Sequence, residues 1–283
     1  MGLKALFAAQ KAMRLHNDGK TKEAMPFYEE ALKNGIEDMR TILAYAVLLI
    51  RDGQYEKAKE LLLSKQKLKM SPDQKTQLFM NYAVCCYKLG DMDKGVSLLE
   101  RQHMRQPVGM VYQSLGYLYV EKYDPSAKEA FAVREKAKAQ RAAEEKAREA
   151  LEFAGEDAEN VPVTVETPEV DVEKLWQEGR DAAFAFVKEA VEYDDEDAVS
   201  LDNLGQFYYR VLGDKESAKP WFEKAIEAKE GQIDTLWFLS RYDLDNGDKA
   251  AALAKLEKAV EGRFSPLNYA TKPMVEAEIK RLK

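Results

Sequence analysis

The chain has 283 residues, of which 46% are apolar and 33% are charged, and it carries a net charge of −7. This composition allows a sizeable hydrophobic core and excludes a chain that is disordered throughout. The excess of acid lies in residues 155–197, which hold 15 acidic and 3 basic side chains, and the overall acidity argues against a nucleic-acid partner.

Helix is the expected secondary structure along most of the chain. Alanine, glutamate, lysine and leucine dominate the sequence, whereas only 9 prolines and 15 glycines interrupt it. These residue types favour helix over sheet by intrinsic propensity. Composition therefore predicts an all-α fold.

The compartment is predicted from the apolar runs and the cysteines. The longest apolar run, residues 42–50, is too short to cross a bilayer, and the N-terminus lacks a long apolar segment. Cys85 and Cys86 are adjacent, and in a helix their side chains point about 100° apart, which disfavours a disulfide between them. We expect a cytoplasmic protein without membrane insertion.

From the N-terminus onward, one helical pattern repeats. Five segments contain a glycine, a small residue five positions later and a bulky residue four positions after that; the glycines are Gly19, Gly53, Gly90, Gly213 and Gly247. A glycine at this place is typical of a helix end. Small residues upstream mark a partner helix, and they are Ala12, Ala46, Ala83, Gly116, Gly205 and Ser240. Their spacings of 34, 37, 33, 89 and 35 residues indicate a period that is broken once.

The best-formed units carry an aromatic and small-residue pattern on both helices. One contains Leu201, Leu204, Gly205 and Tyr208, followed by Ala218, Phe222 and Ala225. This pattern resembles the tetratricopeptide repeat (TPR) family, whose unit is a pair of antiparallel helices. The resemblance implies a right-handed α-solenoid of antiparallel helix pairs with a concave groove. We count four repeats in residues 1–133 and two in residues 198–262.

Residues 134–197 interrupt the repeats and are expected to form a helical-hairpin insertion. An Ala-rich charged stretch extends the preceding helix, an acidic loop with two prolines follows, and an amphipathic helix begins after Asp171, a plausible N-cap. We expect the second helix to lie antiparallel to the first and to rejoin the solenoid as the second helix of a pair. We also hypothesise that the loop, residues 156–169, competes with partners for the groove. Residues 263–283 are expected to form a C-terminal capping helix with Val275, Ile279 and Leu282 on its apolar side.

The sequence offers little for catalysis. It contains no nucleotide-binding, metalloprotease or hydrolase motif. Its two histidines, His16 and His103, fall near turns and are read as surface residues, and Cys86 falls on a core position. We therefore predict no enzyme, no cofactor and no metal site.

The family geometry implies that the first helix of each pair lines the groove with residues beside its core stripe. The residues expected there are Met13, Asn17, Arg40, Val47, Arg51, Asn81, Val84, Tyr87, Lys88, Gln113, Tyr117, Asn203, Gln206, Arg210, Trp237 and Arg241. Tyrosine, methionine, tryptophan and arginine are enriched at binding sites, although some of these aromatic residues would instead pack between repeats.

The predicted function is non-catalytic: an adaptor or scaffold that binds a peptide or protein segment in the groove. Arg40, Arg51 and Lys88 favour an acidic or mixed peptide, whose binding would weaken with salt. Two alternatives stay open. One is a self-assembling structural subunit, such as a homodimer. The other is a co-chaperone-like receptor, although Ala9, Met13 and Asn81 do not reproduce the carboxylate clamp of that class.

Overall fold

The computed structural model describes residues 2–153 and 165–283. In these residues the regular secondary structure is all helix, without strands, and the chain forms an all-α solenoid. Its helices are α1 (Leu3–Asn17), α2 (Thr21–Lys33), α3 (Met39–Arg51), α4 (Tyr55–Lys65), α5 (Pro72–Lys88), α6 (Met92–Arg105), α7 (Gly109–Tyr123), α8 (Lys128–Phe153), α9 (Val172–Tyr193), α10 (Ala198–Gln206), α11 (Lys215–Ala228), α12 (Ile233–Asp245), α13 (Lys249–Val260) and α14 (Lys272–Leu282).

Local signals start and stop these helices, and the glycine turns fall where the sequence pattern predicts. Asp38 begins α3, because its carboxylate accepts a hydrogen bond from the backbone N–H of Thr41 at 2.9 Å. Gly53 ends the same helix with φ +76°, and the next amide, that of Gln54, donates to the carbonyl of Leu49 at 2.9 Å. This closure needs a left-handed residue, which glycine adopts without strain.

The helices form two layers. The first helices of successive pairs, α1, α3, α5, α7 and α10, contact one another along the solenoid, as do the two helices within each pair. The small residues predicted to allow this approach are buried, and Ala12, Ala46 and Ala83 are fully so. The α1–α3–α5–α7–α10 layer, continued by α12, is the inner one, and its open side is the concave surface.

The second helix of the insertion is part of the solenoid, as the sequence led us to expect. Helix α9 packs antiparallel to α7, because Trp176 near its start meets Tyr123 at the end of α7, and Tyr193 at its end meets Tyr112. It thereby takes the place of the second helix of the fourth pair. Asp171 caps it as predicted, accepting from the amide of Lys174 at 3.0 Å.

Helix α8 lies outside α9 and begins beside it. Phe131 and Trp176, each in the first two turns of its helix, meet with ring centroids 5.1 Å apart. The two starts therefore lie together, which differs from the antiparallel hairpin expected from the sequence. Farther along α8, Arg134 and Lys138 pair with Asp93 of α6. The acidic loop falls largely on residues 154–164, which lie outside the described residues.

The C-terminal region has two parts. Helix α14 packs on α13 with Val275 and Leu282 buried, so it caps the solenoid. Before it, residues 261–271 form no helix, and we call them the groove segment because they lie on the concave surface. Leu267 of this segment packs against the core of the N-terminal repeats. The sequence pattern did not predict this segment, since residues 263–283 were all assigned to the cap.

Candidate functional site

Five of the predicted groove residues line two adjoining cavities at the N-terminal end of the concave surface. Asn17 and Arg51 line a cavity of 680 Å³ between α1, α2, α3 and the groove segment. A second cavity of 510 Å³, between α1, α3 and α5, is lined by Met13, Arg40, Val47 and Arg51. The two cavities share Arg51 and His16 on their walls, and we call them together the N-terminal groove.

His16 belongs to this groove, although the sequence suggested only a surface histidine. Its Nδ1 lies 2.9 Å from the hydroxyl oxygen of Tyr28, which is fully buried. Partial burial, together with the positive charges of Arg51 and Arg263, lowers the pKa of the imidazole. The lowered pKa favours the neutral imidazole, which presents a polar edge to the groove.

The N-terminal groove is positively charged. Arg51 and Arg263 both line the larger cavity, and burial and the charge of Arg263 lower the pKa of Arg51. Among the described residues, neither arginine has a carboxylate oxygen within 4.0 Å, although Asp52 also lines this cavity. An anion bound here would relieve the repulsion between two like charges.

The predicted residues of the middle repeats are used largely in packing. Val84 is buried in the core. The hydroxyl of Tyr87 donates to Glu121 at 2.9 Å, and its ring meets the buried Tyr117 edge to face. The Nζ of Lys88 lies 4.6 Å from the Tyr87 ring centroid, and burial lowers its pKa. Asn81 is half-buried and lines neither cavity.

Several predicted residues of the later repeats hold neighbouring repeats together. The amide of Asn203 donates to the carbonyl of Gln113 at 2.9 Å, and the Gln113 side chain donates to Asp197 at the same distance. Gln206 is buried and donates to Asp202. In the last repeat Arg241 pairs with Glu278 of α14 and covers the ring of Trp237.

Arg210 is also held within the protein. It lies on residues Phe207–Val211, which continue α10 as a π-helical turn. Its guanidinium binds Glu121 at 2.7 Å and Asp124 at 3.1 Å, which joins α7 to the next repeat. These carboxylates neutralise Arg210, so its charge is not available to a partner.

The groove segment is bound mainly through its main chain. Asp234 of α12 is buried, and its carboxylate accepts from the amides of Tyr269 at 3.0 Å and Ala270 at 2.9 Å, as well as from the Asn268 side chain. The hydroxyl of Tyr117 donates to the carbonyl of Asn268 at 3.4 Å. The concave surface therefore already holds one irregular stretch of polypeptide.

An aromatic contact and a second buried acid complete this arrangement. The ring of Tyr269 stacks on the ring of Phe238, and the guanidinium carbon of Arg210 lies 4.0 Å from the centroid of the Tyr269 ring. Beneath it Asp202 accepts from Thr235 at 2.6 Å. Complete burial and the nearby charge of Asp234 raise the pKa of Asp202 to about 7.

The two cysteines and His103 do not line the N-terminal groove. Cys85 and Cys86 are buried, and burial raises the pKa of the Cys85 thiol to about 12, which disfavours the reactive thiolate. His103 is half-buried between the rings of Tyr112 and Phe186. In residues 2–153 and 165–283, no three histidine, cysteine, aspartate or glutamate residues are placed to hold a metal ion.

Of the helices that the structure describes, none has both the length and the apolar character that a transmembrane helix requires.

Sequence reasoning missed Arg263 and the groove segment. A histidine beside the first glycine turn was visible in the sequence, but its neighbours in space were not. Arg263 lies in residues 261–271, whose sequence has no helical period from which its position could be predicted. This segment meets the N-terminal repeats only in the folded solenoid.

Two family models match parts of the chain. A model described as "Anaphase-promoting complex, cyclosome, subunit 3" matches residues 17–102, and one described as "Tetratricopeptide repeat" matches residues 198–232. No sequence in a search of curated proteins matches this chain.

Solved structures share the fold. TTC0263, a thermophilic TPR protein in Thermus thermophilus, is 17% identical with a TM-score of 0.56, and the alignment covers 86% of this chain and 98% of TTC0263. The human IFIT1 dimer with m7Gppp-AAAA is 15% identical with a TM-score of 0.56, over 92% of this chain and 49% of IFIT1. At these identities the likeness concerns the fold alone. The family-model matches over residues 17–102 and 198–232, together with the similar solved structures, support a protein of the tetratricopeptide repeat family.

Proposed function

We propose that this protein is a non-catalytic adaptor or scaffold that binds a segment of another polypeptide in the N-terminal groove. The TPR fold generally mediates protein–protein interaction. One observation carries the proposal: the concave surface binds the chain's own groove segment through main-chain hydrogen bonds to Asp234 and Tyr117. A surface that holds one irregular peptide is chemically suited to hold another.

The N-terminal groove is the larger open part of this surface; a cavity of 340 Å³ beside the groove segment is lined by Gln113, Tyr117 and Asn203. The N-terminal groove offers the apolar walls of Val47 and Met13, the amides of Asn17 and Gln77, and the charge of Arg40. Amides can pair with the main chain of an extended peptide, while the apolar residues accept its side chains. The charges favour an acidic or mixed sequence.

A peptide-binding assay with a steric block tests this function. Gln77 is exposed in the smaller cavity, so Gln77→Trp should fill the groove without disturbing the core. We expect peptides selected on the wild-type protein to lose most of their affinity for this variant. Val133→Trp, on the exposed side of α8, is the matched control and should bind as wild type does. Equal binding by both variants would contradict a site in this groove.

The absence of catalysis and a cytoplasmic location are part of the same proposal. Members of the family are typically non-catalytic, and the buried thiols support a structural role for both cysteines. Two reduced cysteines also agree with a reducing compartment. Fractionation of cells that produce the tagged protein tests the location.

Self-association is a second candidate function, favoured by the N-terminal end of the solenoid. Leu3 and Phe7 lie one turn apart on α1 and are 73% and 68% exposed. An uncovered end of a repeat stack is suited to meet a second copy. Analytical ultracentrifugation should then show a homodimer that Phe7→Glu dissociates, and a monomer at all concentrations would exclude it.

A further inference from the structure

The larger cavity of the N-terminal groove differs from the rest of the concave surface in its charge. In the later repeats Arg210 is neutralised by Glu121 and Asp124, and Arg241 pairs with Glu278. Arg51 and Arg263 share this cavity with Lys22, and no carboxylate of residues 2–153 and 165–283 lies within 4.0 Å of their charged nitrogens. Three cations therefore line one concave space of 680 Å³.

The one acidic side chain on the wall of this cavity is engaged with another residue. Asp52 accepts a hydrogen bond from the side-chain amide of Gln54 at 2.6 Å. The two arginines repel each other, and this repulsion contributes to the lowered pKa of Arg51. A bound anion would remove that cost and gain charge-assisted hydrogen bonds from two guanidinium groups.

We infer that Arg51 and Arg263 form an anion site that takes the carboxylates of an acidic peptide. This inference rests on the proposed function and names the chemistry of its ligand. A peptide is favoured over a nucleic acid by the apolar part of the cavity wall. Met25 and Leu48 on the same wall suit peptide side chains rather than a phosphate backbone.

The site is built from two distant parts of the chain. Arg51 ends α3, whereas Arg263 belongs to the groove segment, which Asp234 anchors through Tyr269 and Ala270. A carboxylate that contacts both arginines ties the segment to α3. Binding of the peptide and docking of the segment must therefore strengthen each other to the same degree.

The test measures the affinity of labelled oligoglutamate and oligoglutamine peptides, both amidated at the C-terminus so that only side-chain carboxylates differ. Oligoglutamate should bind more tightly, and its affinity should fall with salt. Arg51→Gln and Arg263→Gln should each lower it about tenfold, the loss of one charge-assisted contact. Arg101→Gln, exposed on α6 outside the groove, removes the same charge and should have no effect. A free C-terminus that restored binding to oligoglutamine would assign the site to a terminal carboxylate.

His16 gives an independent readout. Bound carboxylates offset the charges of Arg51 and Arg263, so the pKa of His16 measured by NMR should rise on saturation with oligoglutamate. The chain has two histidines, and His103, which lies outside the groove, is the internal reference. An unchanged His16 titration would overturn the site.

The remaining outcomes separate the two proposals. If both peptides bind equally and neither arginine variant changes the affinity, the anion site is refuted while peptide binding stands. If neither peptide binds, the anion site is refuted, and the Gln77→Trp assay with selected peptides then tests peptide binding separately. Displacement by a single-stranded oligonucleotide at lower concentration than oligoglutamate would reject a peptide as the ligand.

Tyr269→Ala and Asn268→Ala loosen the segment outside the cavity, and each should weaken oligoglutamate binding about threefold. Unchanged affinity in both would reject the coupling.

Discussion

Close contacts around single residues decide how tightly neighbouring helices pack. Gly205 of α10 faces the fully buried ring of Phe222, and an added Cβ would lie 2.7 Å from the nearest ring carbon. The ring cannot move aside easily, because it stacks on Phe238 with centroids 5.0 Å apart. This contact explains why the repeat pattern places a small residue here.

We expect Gly205→Ala to destabilise the protein. Overpacking of this kind costs about 1–3 kcal/mol, which exceeds the gain of up to about 1 kcal/mol in helix propensity. Chemical denaturation measures the difference. Gly231→Ala is the control, since an added Cβ there meets nothing within 4 Å. Equal or higher stability of Gly205→Ala would contradict the packing argument.

The buried carboxyl of Asp202 makes stability depend on pH. Its pKa in the folded protein, about 7, is higher than the usual value of 3.8 in the unfolded chain. The folded state therefore holds the proton more tightly, and the stabilisation from this group is complete below pH 4 and is lost as pH rises through 7. Asp202→Asn should flatten this part of the stability–pH curve. Asp181→Asn, at an exposed position on α9, should leave the slope unchanged.

At the scale of elements, the repeats could be predicted from the sequence and the groove segment could not. Helix ends such as Gly53 and caps such as Asp38 and Asp171 act over a few residues, so the local pattern reveals them. The segment depends on Asp234, which lies 35 residues before Tyr269 in the chain. No local period encodes that contact.

The same limit explains why the predicted site combines residues that line the groove with residues that pack between repeats. Residues beside the core stripe were all expected to face an open groove, and the prediction did not separate those facing solvent from those facing another part of the chain. Arg210 and Arg51 occupy similar places on their helices, but only Arg210 meets Glu121 and Asp124 across the repeat boundary. Pairing across repeats is a property of the assembled solenoid.

The groove segment should behave as a docked element although it is not helical. The amides of Tyr269 and Ala270 donate to the buried carboxylate of Asp234, so their hydrogen exchange should be slow. Asp234→Ala removes both acceptors and should accelerate exchange in residues 266–271 at least about tenfold, because each lost bond to a charged group is worth about 1.5–3 kcal/mol. Exchange in α3 is the internal control. Unchanged exchange in the segment would show that other contacts hold it.

In the whole molecule, α9 connects the N-terminal and C-terminal repeats. It packs on both α7 and α10, and Trp176 is buried between Tyr123 and Phe131. In a repeat protein each unit is stabilised mainly by its neighbours, so a weakened link divides the stack into parts that unfold separately.

We expect Trp176→Ala to cost about 3–5 kcal/mol locally and to separate the unfolding of the two parts. The remaining tryptophans, Trp221 and Trp237, both lie in the C-terminal repeats, so their fluorescence reports that part while circular dichroism reports all helices. The two transitions should coincide in the wild type and diverge in the variant. Leu175→Ala, half-exposed on the same helix, should keep them together. Coinciding transitions in Trp176→Ala would exclude α9 as the link.

The contact between Tyr117 and Asn268 joins residues 151 positions apart. In a solenoid made only of neighbouring contacts, folding can begin at any repeat and spread along the chain. This contact has no surface to form on until α7 and α12 are both in place, and closing so long a loop has a large entropic cost. Docking of the groove segment is therefore a late step in folding, and a chain still emerging during synthesis has an uncovered concave surface until residues 261–271 are available.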